Sequence, residues 1–150
     1  MDGKQIFNRQ KAMLNLIDGL YMEAVVLCDE ARSYFDSAAA ANDQRGTEGT
    51  DRAAFSHAAL VAVTRLNQSI AELLNLRMAM ERPAAVTPRD MGREQEPSPA
   101  LPPLPVRAAL IVEASLDVHA RTRRLTAEMA DDDDTGFRVA EPLAPPSFTA

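Results

Sequence analysis

Proline is absent before Pro83, then falls seven times between Pro83 and Pro105 and three times between Pro142 and Pro146. Inside a helix a proline costs about 3 kcal/mol, because its ring clashes with the preceding turn and it donates no amide hydrogen. Long helices are therefore permitted in two blocks, before Pro83 and between Pro105 and Asp134. Gly46 and Gly49 punctuate the first block. Three helices are predicted, over 12–40, 51–82 and 105–130. With no alternating β pattern, the fold class is all-α. The expected architecture is an antiparallel three-helix bundle over 12–130, with a Pro-rich linker at 83–104 before the third helix and a disordered acidic tail at 131–150.

Periodicity supports each helix. Met13, Ile17, Leu20, Ala24, Leu27, Ala31, Tyr34 and Ala38 recur at intervals of three and four, the stripe of a bundle helix. Leu14, Tyr21, Cys28 and Phe35 widen it, and Leu27 lies near its centre. Asn42 and Asp43 offer a stop. In the second helix the line is Phe55, Ala59, Ala62, Leu66, Leu73, Leu76 and Met80, broken by Ser69. Thr50 or Asp51 can cap its start. In the third the line is Val106, Leu110, Ala114, Val118, Leu125 and Met129, interrupted by Arg121. Asp131 to Asp134 then set four negative charges against the helix dipole, so the helix is expected to end there.

Composition narrows the function. The 150 residues suffice for one core, and the net charge is -6. Free nucleic-acid binding draws on positive charge, so that class is disfavoured. A single cysteine makes no internal disulfide and fits a reducing compartment. No apolar run nears the roughly 20 residues of a membrane helix, and no cleavable leader is evident. The cytoplasm is the expected location.

Few residues suggest chemistry. Cys28 lies mid-helix beside Asp29 and Glu30, where a thiol stays protonated, and reads as core. His57 and His119 lack partners at ligand spacing and read as surface residues, so no metal or other cofactor is expected. No Gly-rich phosphate loop or nucleophile elbow occurs, and no enzyme is expected. Arg121, Arg123 and Arg124 are the best nucleic-acid candidates, although they do not share one helix face. The tail places Phe137, Leu143 and Phe148 in an acidic context, as in segments that dock on a partner.

Leu20, Tyr21, Glu23, Ala24, Leu27, Glu30, Ala31, Arg32, Tyr34 and Asp36 form one recognisable line. A second is TRLNQSIAELLNLR, with Thr64, Arg65, Leu66, Gln68, Leu73, Leu74 and Arg77. Together they resemble the bacterial family of the regulator of CtrA degradation, RcdA. LPPLPVRAALIVEAS and RTRRL extend the similarity. The resemblance implies a three-helix bundle with a flexible tail and no catalysis. It further implies a cell-cycle adaptor that presents substrates, among them a response regulator, to the ClpXP protease. The implied setting is the cytoplasm, including the cell pole, with a homodimer as one state. Glu23, Glu30, Arg32, Arg65 and Gln68 combine the family pattern with expected exposure and are the candidate partner contacts. The chain departs from the family where a second-helix tryptophan is replaced by Glu72, and in HAALVAV before the TRL motif. The competing expectations are a DNA-associated helical regulator and an interaction bundle with no protease link.

Overall fold

The computed structural model describes residues 3–49, 51–81 and 103–136. They form four helices: α1 (Gly3–Phe35), α2 (Ala38–Gly46), α3 (Arg52–Glu81) and α4 (Val106–Gly136). There is no strand among the described residues.

The predicted first helix is two helices, and Ser37 is the reason. Its backbone is extended, at φ -86° and ψ 156°. Its Oγ donates to the Tyr34 carbonyl at 2.6 Å and accepts from the Ala40 amide at 3.2 Å. One serine thus closes α1 and caps α2. Asn42 and Asp43, expected to stop a helix, lie inside α2, which ends at Gly46. Upstream, α1 begins at Gly3, before the apolar stripe begins, and residues 3–12 are exposed. Asp51 caps α3, accepting the Ala53 amide on its carboxylate at 3.2 Å. Downstream, the α4 backbone runs through Asp131–Asp134 to Gly136 instead of ending at the acidic run. A charge opposing the dipole costs only about 0.3–1 kcal/mol, too little to stop the ladder.

Contacts between helices give their directions. Cys28 and Arg32 of α1 meet Asn67 of α3, Asp18 meets Arg77, and Gln10 meets the Met80 carbonyl. Numbers rise on one helix as they fall on the other, so α1 and α3 are antiparallel. Glu30 with Arg107 and Glu23 with Arg121 make α1 and α4 antiparallel as well. Ser69 with His119 and Glu72 with Thr126 rise together, so α3 and α4 run parallel. The expected up-down-up order is therefore corrected. The chain returns the length of α3, about 45 Å, before α4 begins. The Pro-rich stretch that makes this return lies outside the described residues, save its last residues from Pro103. Gly49 marks the end where α3 and α4 both start. Its φ is +78°, and a Cβ there would lie 3.3 Å from Pro103 Cγ. A side chain at this turn would meet both strain and the proline ring.

The core forms where α1, α3 and α4 meet. Ile17, Leu20, Ala24, Cys28, Ala31 and Tyr34 come from α1, and Phe55, Ala58, Ala62, Leu66 and Leu73 from α3. Burying a leucine such as Leu66 contributes about 1.5–3 kcal/mol, so these positions dominate stability. Leu27 is only half-buried, and Ala24 is the buried centre of the stripe. On α4 the expected line fails in its first half. Val106 and Leu110 are exposed, and Ala108, Ile111, Val112, Ser115, Val118 and Thr122 face inward. At the end where α1 closes, Phe35 stacks edge-on with Tyr34 and with Phe55, both at 5.3 Å. The Tyr34 hydroxyl donates to Asp43 at 3.0 Å, tying α2 to α1. Burial, then this bond and the Asp43 charge, push the phenol up to about 12, against the charge of Arg107.

Candidate functional site

α4 makes two seams of opposite character. Its seam with α3 is closed and polar. Ser69, Ser115 and Thr122 are fully buried, and Arg65 and Glu72 are each 8% exposed. The hydroxyls bond to their own helices: Ser69 to the Arg65 carbonyl (2.9 Å), Ser115 to Val112 (2.7 Å) and Thr122 to Val118 (2.9 Å). Each group is satisfied without widening the seam. Ser69 Oγ also lies 3.2 Å from His119 Nδ1. The hydroxyl's single proton goes to the Arg65 carbonyl, so Oγ accepts from the imidazole and the ring proton sits on Nδ1. Thr126 donates to Glu72 at 3.4 Å.

Burial sets the charges in this seam. It pushes the Glu72 carboxyl above the usual range, against the pull of the Arg123 charge and the Thr126 bond. It pushes His119 below its ordinary value, helped by the charges of Arg123 and Arg65, so the imidazole is held neutral. It lowers Arg65 as well.

The seam between α1 and α4 is open. A groove there is lined by Met22, Glu23, Val26, Leu27, Glu30 and Ala114. Its apolar side chains are uncovered, with Met22 at 58% and Val26 at 60% exposure. Leu110, one turn before Ala114 on α4, is 58% exposed. The seam is bridged by Arg121 to Glu23 at 2.8 Å and Arg107 to Glu30 at 3.7 Å. Arg121 also holds Asp117, at 3.3 Å. All of these charged groups are largely solvated, so each pair contributes at most about 1 kcal/mol.

The five candidate contacts do not form one surface. Glu23 and Glu30 lie together on the groove and pair with α4. Arg32 is exposed on the α1–α3 side, with Nη2 donating to Asn67 at 3.4 Å. Gln68 is exposed on α3. Arg65, expected on the surface, is buried in the closed seam, because α3 is packed by α1 on one side and α4 on the other. His119, also expected on the surface, is half-buried against Ser69. Arg121, Arg123 and Arg124 diverge: Arg121 faces α1, Arg123 approaches Glu72 and His119, and Arg124 is exposed. Phe137, Leu143 and Phe148 lie outside the described residues. Cys28 is buried in the stripe, its Sγ 3.5 Å from Asn67 Oδ1. Among the described residues, no three His, Cys, Asp or Glu side chains converge as a metal would require, and no helix is long and apolar enough to cross a membrane.

A family model matches residues 8–145, described as "Protein of unknown function (DUF1465)". The chain belongs to this family. The DUF1465 match runs through both seams, from the exposed start of α1 past the end of α4. No curated protein and no solved structure matches the chain.

Sequence reasoning missed Met22, Val26 and Leu110 as a surface, and Ser69, Ser115, Thr122 and His119 as an interior. The common face of Ser115, His119 and Thr122 was visible in the spacing. Their polarity made it look like the outside.

Proposed function

We propose that the protein is a non-catalytic adaptor of regulated proteolysis, acting in the cytoplasm and at the cell pole. In this reading it presents a protein substrate, a response regulator being the first candidate, to the ClpXP protease. The observation that carries the reading is the α1–α4 groove: an uncovered apolar floor on a well-packed bundle, rimmed by weak ion pairs that a partner can displace. It supports binding rather than turnover, because Glu72, raised by burial, and His119, lowered by it, are engaged inside the other seam. The resemblance of α1 and α3 to the regulator of CtrA degradation supplies the protease and the class of substrate.

The test is reconstituted degradation. Purified ClpXP digests a response regulator with and without the full chain, across chain concentrations. The reading expects faster degradation that saturates with the chain. It expects the chain itself to persist. A rate independent of the chain across response regulators of the same cell removes the protease role.

A further inference from the structure

The geometry points to an oxyanion site on the outer rim of the α3–α4 seam, where Arg65, His119 and Arg123 hold a tetrahedral anion of the phosphate type. This site lies in the opposite seam from the groove and goes beyond the adaptor reading.

Arg65 is the first observation. Arg77, Arg107 and Arg121 are solvated, and each meets a carboxylate, at 3.0, 3.7 and 2.8 Å. Arg65 is only 8% exposed, and its guanidinium has no carboxylate and no hydrogen-bond partner among the described residues. Ser69 uses the Arg65 carbonyl and leaves the side chain alone. Burial weakens the hold of Arg65 on its proton, and no acid offsets this. Yet no nitrogen of the group is sealed from solvent. The stem is packed, and the fork of N–H donors opens at the rim without a protein acceptor.

The second observation is what stands beside it. Ser69 follows Arg65 by one turn, about 6 Å, and its Oγ lies 3.2 Å from His119 Nδ1. The Nδ1 proton is engaged there, so Nε2 keeps its lone pair and has no partner among the described residues. Arg123 follows His119 by one turn, and the charges of Arg123 and Arg65 both act on the ring. Two guanidinium groups and an imidazole, from two helices, thus share one level of the seam.

The third is the balance of acids. Glu72 lies near Arg123, but burial holds its carboxyl above the usual range. It does not act on Arg65 or on His119. From α1, Glu23 and Glu30 are engaged with Arg121 and Arg107 in the other seam. The rim therefore carries unbalanced positive charge on a chain whose net charge is -6.

A planar carboxylate would satisfy Arg65 alone. A tetrahedral anion offers oxygens to both guanidinium groups at once. Its charge also opposes the two cations that keep His119 neutral. The ring then takes up a proton at Nε2 and donates it to the same anion. Binding is coupled to proton uptake and tightens as the pH falls from about 8 to about 6.

The test uses the full, isotopically labelled chain and sulfate, which keeps its charge over that range. Chloride holds the ionic strength constant. Amide and imidazole chemical shifts are followed at both ends of the pH range. The inference expects saturable shifts at Arg65, Ser69, His119 and Arg123, tighter binding at the lower pH, and a His119 titration midpoint raised by sulfate. Acetate should bind more weakly than sulfate. Arg65→Gln and Arg123→Gln should each weaken sulfate by about tenfold or more, and Arg124→Gln, at an exposed position of α4, should not. Circular dichroism melting verifies folding, and Arg123→Gln alone decides if Arg65→Gln does not fold. Shifts that do not saturate, undiminished affinity in the folded variants, or a His119 midpoint that sulfate does not move overturn the inference. Acetate binding as tightly as sulfate overturns the choice of a tetrahedral anion. A phosphoserine peptide that binds tighter than free phosphate assigns the anion to a partner's side chain. One that binds no tighter assigns it to the free ion, and the site stands in both cases.

Discussion

The two seams of α4 bury opposite things. Against α3, the helix buries hydroxyls, a carboxylate and an imidazole and leaves little open. Against α1, it leaves leucine, valine and methionine in water and bridges the gap with solvated ion pairs. A rule that sorts residues by polarity would assign both seams backwards. The difference teaches that packing distance decides. Small hydroxyl residues let the parallel helices α3 and α4 approach, and each hydroxyl is satisfied on its own helix. Val106, Leu110 and Leu116 of α4 stay exposed, with no further helix over them among the described residues. An uncovered apolar surface of that kind is the usual mark of an interaction site.

The comparison can be broken at several strengths. The strongest test places a carboxylate in each seam. Ser115→Asp buries a charge without a partner and should cost about 3–5 kcal/mol, enough to unfold much of the chain. Val26→Asp should stay within about 0.5 kcal/mol of the parent. Urea unfolding followed by circular dichroism gives both, and equal losses would erase the distinction. Next is Ser69→Ala, which strips the acceptor from His119 Nδ1 and should cost about 1–3 kcal/mol, seen as a lower melting temperature.

A pH series then probes the charges of the closed seam. His119 has a folded value below its ordinary one, so its contribution is present above about pH 6.5 and fades as the pH falls further. Glu72 has a raised folded value, so its contribution is present at low pH and is lost as pH rises through that value. Acidification from pH 7.5 to 5 should therefore destabilise the parent less than Glu72→Gln. His119→Gln should flatten the decline. Identical slopes in all three would mean that neither group is held as described. The smallest effect belongs to the open seam. Arg121→Ala removes the pairs to Glu23 and Asp117 and should cost no more than about 1 kcal/mol, shrinking further in high salt.

Much of the frame was legible. Proline placement and the three-four spacing located α3 to within a residue at each end, from 51–82 expected to Arg52–Glu81 observed. The α1 stripe put Cys28 in the core, where it is. The rest failed for identifiable reasons. Ser37 divides two helices through hydrogen bonds of one hydroxyl, and the alanine-rich stretch after it gives no periodic hint of it. The parallel run of α3 and α4 depends on which way a long connection returns, and periodicity is blind to direction. Arg65 and Glu72 look like surface residues by type. They are buried because their helix is packed on two sides, with arginine's long stem able to lie along apolar neighbours. Of the five candidate contacts, Glu23 and Glu30 lie together on the groove, and the structure adds the apolar side chains between them.

The most direct test of the division between the seams is an amide chemical-shift titration of the isotopically labelled full chain with an amphipathic helical peptide that carries leucine at i, i+4 and i+7. The account predicts perturbed amides at residues 22–30 of α1 and 107–121 of α4, with Ser69 and Glu72 unmoved. Perturbations centred on α3, or spread evenly over the bundle, would contradict it.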